Sequence, residues 1–188
     1  MSHTTEMRED STLVAACLKG EPRAQKTLFE KFAPKMFAVC LRYMNSYDEA
    51  QDTLQDGFVK VFSKLSDFKS EGALEGWIRR IIVNTCLDAI RKNEKTKYDV
   101  SISEIEYQLD FTDYGMQNME VEELMLMIQS MPNGYRVVFN LFAIEGFSHK
   151  EIADKLGINE NTSKSQYLRA RAFLRERIEK IEWKETTQ

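Results

Sequence analysis

Sulfur and imidazole chemistry are scarce in this chain, whose 188 residues include three cysteines and two histidines. Cys17, Cys40 and Cys86 form no C-x-x-C pair. Each falls in an apolar helical pattern, which points to buried free thiols in a reducing compartment rather than a disulfide frame. His3 lies in the polar N-terminal stretch and His149 just after a helix-capping serine. No zinc site assembles from these two, so neither a metal nor a cofactor is expected. Three prolines and eight glycines are too few for a turn-rich β architecture. Apolar runs such as Met36 to Leu41 fall far short of the roughly 20 residues that span a bilayer. The opening MSHTTEMREDST lacks the apolar core of a signal peptide, so the expected location is the cytoplasm. There is no phosphate-binding glycine loop, no nucleophile elbow and no histidine placed to serve a cysteine, so no catalytic residue is expected.

Basic charge is absent from the middle of the chain. From Tyr98 to Tyr135 there is no Lys or Arg, while Asp99, Glu104, Glu106, Asp110, Asp113, Glu120, Glu122 and Glu123 all fall there. The formal net charge of −4 therefore averages an acidic block with basic segments on either side.

What is present is helical periodicity. The spacing predicts a short helix over Thr12 to Lys19, ended by Gly20. A second helix opens at Pro22 and runs to about Asn45, with Leu28, Phe32, Met36, Val39 and Tyr43 inward and a kink or break at Pro34. A third covers Ser46 to Leu65 on the core face Ala50, Leu54, Phe58, Val61 and Leu65. After a loop, Ser66 to Gly72, a fourth runs from Leu74 to Asn93. The acidic stretch 95–118 has little periodicity and reads as a flexible linker. Helices resume over Val121 to Met131 and from Pro132 to about Ile144, and the last ends near Ile181. The expected fold class is all-α: two small helical domains, 11–94 and 119–182, joined by that linker.

Glu145 to Arg171 reads as a helix-turn-helix. Ser148 caps a short helix with Ile152, Ala153 and Leu156 inward, Gly157 ends it in the left-handed conformation, and Ile158 plugs the turn. Asn159 caps a second helix carrying Thr162, Lys164, Ser165, Gln166, Arg169 and Arg171, which can lie in a major groove. A two-helix corner of a plain bundle can carry a similar pattern; the basic run weighs toward DNA. On the fourth helix, Trp77, Arg80, Asn84, Asp88 and Arg91 form a stripe opposite Leu74, Ile78, Ile81, Ile82, Thr85 and Ala89. Indole, guanidinium and carboxamide suit unpaired bases and phosphate, yet the stripe alone equally fits a solvated face. On the third helix, Asp48, Asp52 and Asp56 with Gln51 and Gln55 suit either a protein-docking face or a solvated one.

Two longer segments make the reading specific. YDEAQDTLQDGFVKVFSKLSDF followed by WIRRIIVNTCLDAIRK, and then MPNGYRVVFNLFAIEGFSHKEIADKLGINENTSKSQYLRARAFL, resemble the bacterial sigma-70 family. The likeness is to the short extracytoplasmic-function (ECF) type that keeps domains 2 and 4. The matching positions are Ala50, Asp52, Gln55, Phe58, Trp77, Ile81, Asn84, Asp88, Arg91 and Lys92, and then the L-P-x-x-x-R-x-V-F and E-G-x-S-x-x-E-I-A patterns. Met131, Ser163, Gln166 and Asp56 stand where the family usually has Leu, Val, Arg and Glu.

The resemblance implies a promoter-specificity subunit of core RNA polymerase. Asp52, Gln55, Asp56 and Phe58 would dock on the polymerase. Phe68, Lys69, Ser70, Trp77, Arg80, Asn84, Arg91 and Lys92 would bind and open the −10 element. Thr162, Lys164, Ser165, Gln166, Arg169 and Arg171 would read the −35 duplex, and Tyr135 to Phe142 would lie near the polymerase flap. An anti-sigma partner, itself free to be membrane-bound, would occlude both DNA faces. The competing reading is a stand-alone dimeric helix-turn-helix regulator on a palindromic site. A helical interaction module without a nucleic-acid role is the third.

Overall fold

A computed structural model of the chain describes residues 3–69, 72–96 and 119–186. These hold eight α-helices and no strand, in two compact units, Met1–Tyr107 and Gln108–Gln188. The predicted linker lies outside the described residues except for positions 95 and 96, which finish a helix.

The first unit comprises α1 (His3–Leu18), α2 (Pro22–Tyr43), α3 (Tyr47–Ser63), a 3₁₀ turn at Leu65–Asp67 and α4 (Leu74–Thr96). Gly20 takes φ +78° and ends α1, a conformation that favours glycine. The rows expected to point inward do so: Leu28, Phe32, Met36, Val39 and Tyr43 of α2, and Ala50, Leu54, Phe58 and Val61 of α3, are buried. Ser46 caps α3 by accepting from the Glu49 amide at 3.1 Å. Cys17, Cys40 and Cys86 are free thiols inside this core, and burial pushes the Cys17 thiol up, helped by Glu21.

Three differences from the sequence reading have physical causes. Helix α1 starts at His3, not Thr12; its first turns lack an apolar stripe, so periodicity is silent there. The Lys31–Asp10 ion pair, 2.6 Å, ties α1 to α2. Helix α2 runs unbroken through Pro34. The proline is exposed while its neighbours Phe32, Ala33, Met36 and Phe37 are buried, so the lost backbone bond falls on the solvent side and packing opposite holds the helix. Helix α4 continues to Thr96, past the predicted Asn93.

The second unit comprises α5 (Met119–Gln129), α6 (Asn133–Phe139), a π-helical turn at Asn140–Ile144, α7 (His149–Leu156) and α8 (Glu160–Thr186). Ile128, Met131, Ala170 and Leu174 form its core, with Met127, Tyr135, Phe139 and Phe173 packed around it. The buried Arg136 guanidinium donates to the Gln129 carbonyl at 2.9 Å and to Asn133 Oδ1 at 2.6 Å, pinning α6 to the end of α5. The single helix expected from Pro132 to Ile144 is therefore a short α-helix that widens into the π turn. Helix α8 extends to Thr186, beyond the expected end near Ile181.

Helices α3 and α4 leave no room for a side chain at Gly57, where an added Cβ would clash with Ile82 Cδ1. Ile82 is fully buried and has little room to retreat. Gly57→Val is expected to cost about 1–3 kcal/mol through overpacking. Thermal melting should place the first unit several degrees lower; an unchanged melting temperature contradicts the tight crossing.

Candidate nucleic-acid interface

Helix α4 carries the first group of side chains. It packs against both α2 and α3, and Val83, Cys86 and Leu87 are buried along with Leu74, Ile78, Ile82 and Thr85. The expected inward residues Ile81 and Ala89 are only half-buried. The outward face is correspondingly narrow: Arg80, Asn84, Asp88, Arg91 and Lys92 are exposed and Trp77 is half-buried. Phe68, at the end of the preceding 3₁₀ turn, sets its ring 5.5 Å from the Trp77 ring at 54°. Phe68 thus meets the head of α4, with Lys69 exposed next to it in the chain, whereas Ser70 lies outside the described residues. Asp88 accepts from Arg91 at 3.0 Å and from Lys60 of α3 at 3.4 Å. All three side chains are well exposed, so each pair holds by about 1 kcal/mol or less.

Helix α3 shows a different face. Asp52, Gln55 and Asp56 are exposed, as expected of a docking surface. Phe58 is not: it is 3% exposed and packs edge-on against Phe29 at 4.7 Å, with Phe62 at 6.2 Å. It seats the helix in the core instead of presenting itself to a partner. Its neighbour Val59 is 68% exposed on the Asp52–Asp56 face, an apolar contact the sequence reading passed over although it lies seven and three residues beyond that pair. A cleft of about 350 Å³ between α3 and α4 is lined by Glu49, Asp52, Asp56, Lys60, Asp88 and Lys92 among others. Among the described residues no group of three or more His, Cys, Asp or Glu is placed to hold a metal ion.

The second unit builds the predicted corner. Ser148 accepts from the Glu151 amide at 3.3 Å while the Glu151 carboxylate accepts from the Ser148 amide at 2.8 Å and its hydroxyl at 2.7 Å, a closed capping box. Those bonds hold the Glu151 carboxyl below the usual carboxylate range, with Lys155 adding to them. Gly157 takes φ +67° and ends α7, and the Ile158 amide returns to the Ala153 carbonyl at 3.1 Å. Asn159 caps α8 by accepting from the Asn161 amide at 2.8 Å. Ile152, Ala153 and Ser163 are buried at this corner, while Ala170 further along α8 packs with Ile128 and Met131.

The polar residues of α8 fall into two rows, because 3.6 residues make a turn. Thr162, Gln166 and Arg169 follow one, and Lys164, Arg171 and Arg175 the other, with Ser165 and Leu168 between. Leu168 is 63% exposed within this face, a feature that the reading of charges alone missed. Ser165 returns its hydroxyl to the Thr162 carbonyl at 2.9 Å. Gln166 is half-buried, with its amide 3.0 Å from where a Cβ on Gly134 would sit. Lys164 pairs with Glu160 at 2.7 Å; its hydrogen bond and charge lower the Glu160 pKa, as do His149 and Lys150 more weakly. Arg171 lies 6.0 Å from the Tyr167 ring centroid.

A capped helix-turn-helix with a basic second helix defines a DNA-binding class of module, carried here beside a separate four-helix unit. Comparison with known proteins narrows the class. The Sigma-70 region 2 family matches residues 28–96 and the Sigma-70, region 4 family residues 121–174, together more than half of the chain. The RNA polymerase sigma-H factor of Pseudomonas aeruginosa is 25% identical over 174 residues, covering 87% of this chain and 90% of its own. The ECF RNA polymerase sigma factor SigM of Mycobacterium tuberculosis is 27% identical, covering 89% of this chain and 83% of its own. The ECF RNA polymerase sigma-E factor of Escherichia coli is 25% identical, covering 94% and 98%. The sigma factor RpoE of Bartonella quintana, solved with the anti-sigma factor NepR, shares the fold with a TM-score of 0.56 at 22% identity, covering 82% of this chain and 96% of its own. The chain belongs to the sigma-70 family of RNA polymerase sigma factors, in its extracytoplasmic-function type. These are transcription initiation factors, not enzymes.

The capping box has a pH signature. Folding depresses the Glu151 pKa, so its contribution is in place above the range of an unfolded carboxyl and is lost as pH falls through the folded-state value. Ser148→Ala removes the largest cause of that shift. Carboxyl NMR titration is expected to show Glu151 moving up toward the usual value; an unmoved midpoint contradicts the assigned bonds.

Proposed function

We propose that this chain works in the cytoplasm as a promoter-specificity subunit, directing core RNA polymerase to promoters by reading a −35 duplex and opening a −10 element. The observation that carries the reading is the pairing, in one chain, of two unlike polar helix faces. One is the basic, capped α8; the other is the Trp77–Arg80–Asn84 face of α4, which suits bases that are no longer paired. A duplex-only regulator has no use for the second.

In this reading α8 enters the major groove. Its two rows flank Ser165 and Leu168, so Thr162, Gln166 and Arg169 face one wall of the groove and Lys164, Arg171 and Arg175 the other. Basic side chains on both sides suit the two phosphate strands, and the residues between them suit base edges. With five or six phosphates met, the log–log salt slope is on the order of −5. The Lys164–Glu160 pair yields to phosphate at little cost, because both groups are exposed.

Helix α4 acts on the other element. Unstacking costs a few kcal/mol per base, offset when an extruded base finds a pocket and a stacking surface. Phe68, Lys69 and Ser70 with Trp77 supply that surface, Asn84 meets a base edge, and Arg80, Arg91 and Lys92 hold the backbone. Asp52, Gln55 and Asp56, joined by Val59, dock the first unit on polymerase, while buried Phe58 supports them from beneath. Two separate DNA-facing surfaces also suit control by occlusion, so an anti-sigma partner that covers both is part of the proposal.

Run-off transcription with purified bacterial core polymerase on pooled genomic promoter fragments tests this reading. New transcripts from defined start sites are expected only when the protein is added. Reversing charge at Arg169 and Arg171 together should abolish them at promoters that need the upstream element. Initiation that is absent, or indifferent to that reversal, contradicts the proposal; duplex binding as a dimer without initiation favours a stand-alone regulator.

A further inference from the structure

The crossing of α7 and α8 contains a polar contact where the rest of the corner is apolar. Ser163 is fully buried, and its hydroxyl sits 2.9 Å from His149 Nδ1. The His149 ring is fixed from several sides. It stacks on Phe142 of the π turn with centroids 4.2 Å apart and planes at 11°. Tyr167 of α8 lies 4.5 Å from Phe142 and 5.8 Å from His149. The backbone of His149 is the first residue after the Ser148 cap, so the capping box holds it as well. One imidazole therefore joins the π turn, α7 and α8.

The position of Ser163 makes this contact consequential. It lies between Thr162 and Lys164, one from each polar row, and turns inward while they turn out. An apolar side chain at a helix crossing tolerates sliding, because its contacts have no direction. A hydrogen bond between a fixed ring and a buried hydroxyl does not, since it weakens steeply off its axis. With a side-chain envelope of about 5–6 Å radius, a 20° roll of α8 moves each outward side-chain tip by about 2 Å. That is enough to lose a contact to a base edge.

The geometry points to His149 as a positioning residue for DNA reading: with Ser163 it forms a latch that sets the roll of α8. This inference rests on α8 being the base-reading helix. The latch acts on sequence preference more than on total affinity, because phosphate contacts from flexible Lys and Arg adapt to a small roll and base contacts do not.

The test uses the full chain assembled with core polymerase. The probes are a promoter duplex recovered by the transcription experiment above and the same duplex with its upstream element scrambled. His149→Phe keeps a ring on Phe142 and removes the hydrogen bond; Ser163→Val adds one heavy atom and removes it from the other side; His149→Asn keeps a polar atom near the Nδ1 position. The first two are expected to lower the preference for the true over the scrambled duplex about tenfold, the size of one base contact, with scrambled binding held and the melting temperature lowered by no more than several degrees. His149→Asn should recover most of the preference. In the chain alone, Ser163→Val should shift the His149 Nδ1 nitrogen resonance, which has only His3 to be distinguished from. Wild-type preference retained in His149→Phe and Ser163→Val overturns the latch, as does equal loss on both duplexes with a lowered melting temperature, or an unmoved nitrogen resonance. A wild-type complex without any upstream preference overturns instead the reading of α8, and the latch's role with it.

Discussion

Gly57 and Ile82 meet where α3 crosses α4, and the width of that crossing decides which side chains of both helices reach solvent. With no Cβ at Gly57, the Ile82 side chain fills the space and the helices close on each other. That leaves Gln55 and Val59 on the outer side of α3, Asp52 and Asp56 at the rim of the cleft that α3 forms with α4, and Arg80, Asn84 and Arg91 on the outward face of α4. Neither outward face is stabilising in itself. Each is aimed by burial behind it, which is why a rigid packing defect in this core would degrade surfaces it never touches.

The second unit uses a different device for the same end. Its corner is fixed locally, by the Ser148–Glu151 box, by Gly157 in the left-handed conformation, and by the Asn159 cap. The small residue Ala153 is buried at the corner, and Arg136 staples the preceding helices with directional bonds. Ordered polar contacts therefore set the orientation of α8, whereas apolar interlock sets that of α4. In the proposed function, α8 places individual donors against base edges, which directional contacts suit, and α4 receives unstacked bases, which a stable platform suits.

Much of this was legible in the sequence, and the exceptions share a cause. The inward rows of α2 and α3, the caps at Ser148 and Asn159, and the Gly157 turn all follow from local chemistry and helical period. What periodicity does not carry is how many neighbours a helix has. Helix α4 is enclosed on two sides, so Val83 and Leu87 are buried as well as the expected Cys86, and its polar face is narrower than a one-sided stripe suggests. Phe58 sits in the same motif as Asp52 and Gln55 and points inward, as its helical period indicates; motif membership alone says nothing of direction. The polar start of α1 left no apolar signal to read. The partner of Ser163 was invisible, since His149 lies 14 residues away and meets it only across the turn. Ser70 and the acidic stretch between the units lie outside the described residues.

The central claim is a division of labour, with one unit holding duplex DNA and the other opening it. Permanganate footprinting of thymines in the polymerase–promoter complex, with Trp77→Ala beside the wild type, measures both at once when combined with protection of the upstream duplex. The account predicts that the variant keeps upstream protection while the downstream thymines lose their reactivity. Full reactivity without Trp77, or loss of upstream protection together with it, would contradict the assignment of opening to the face of α4.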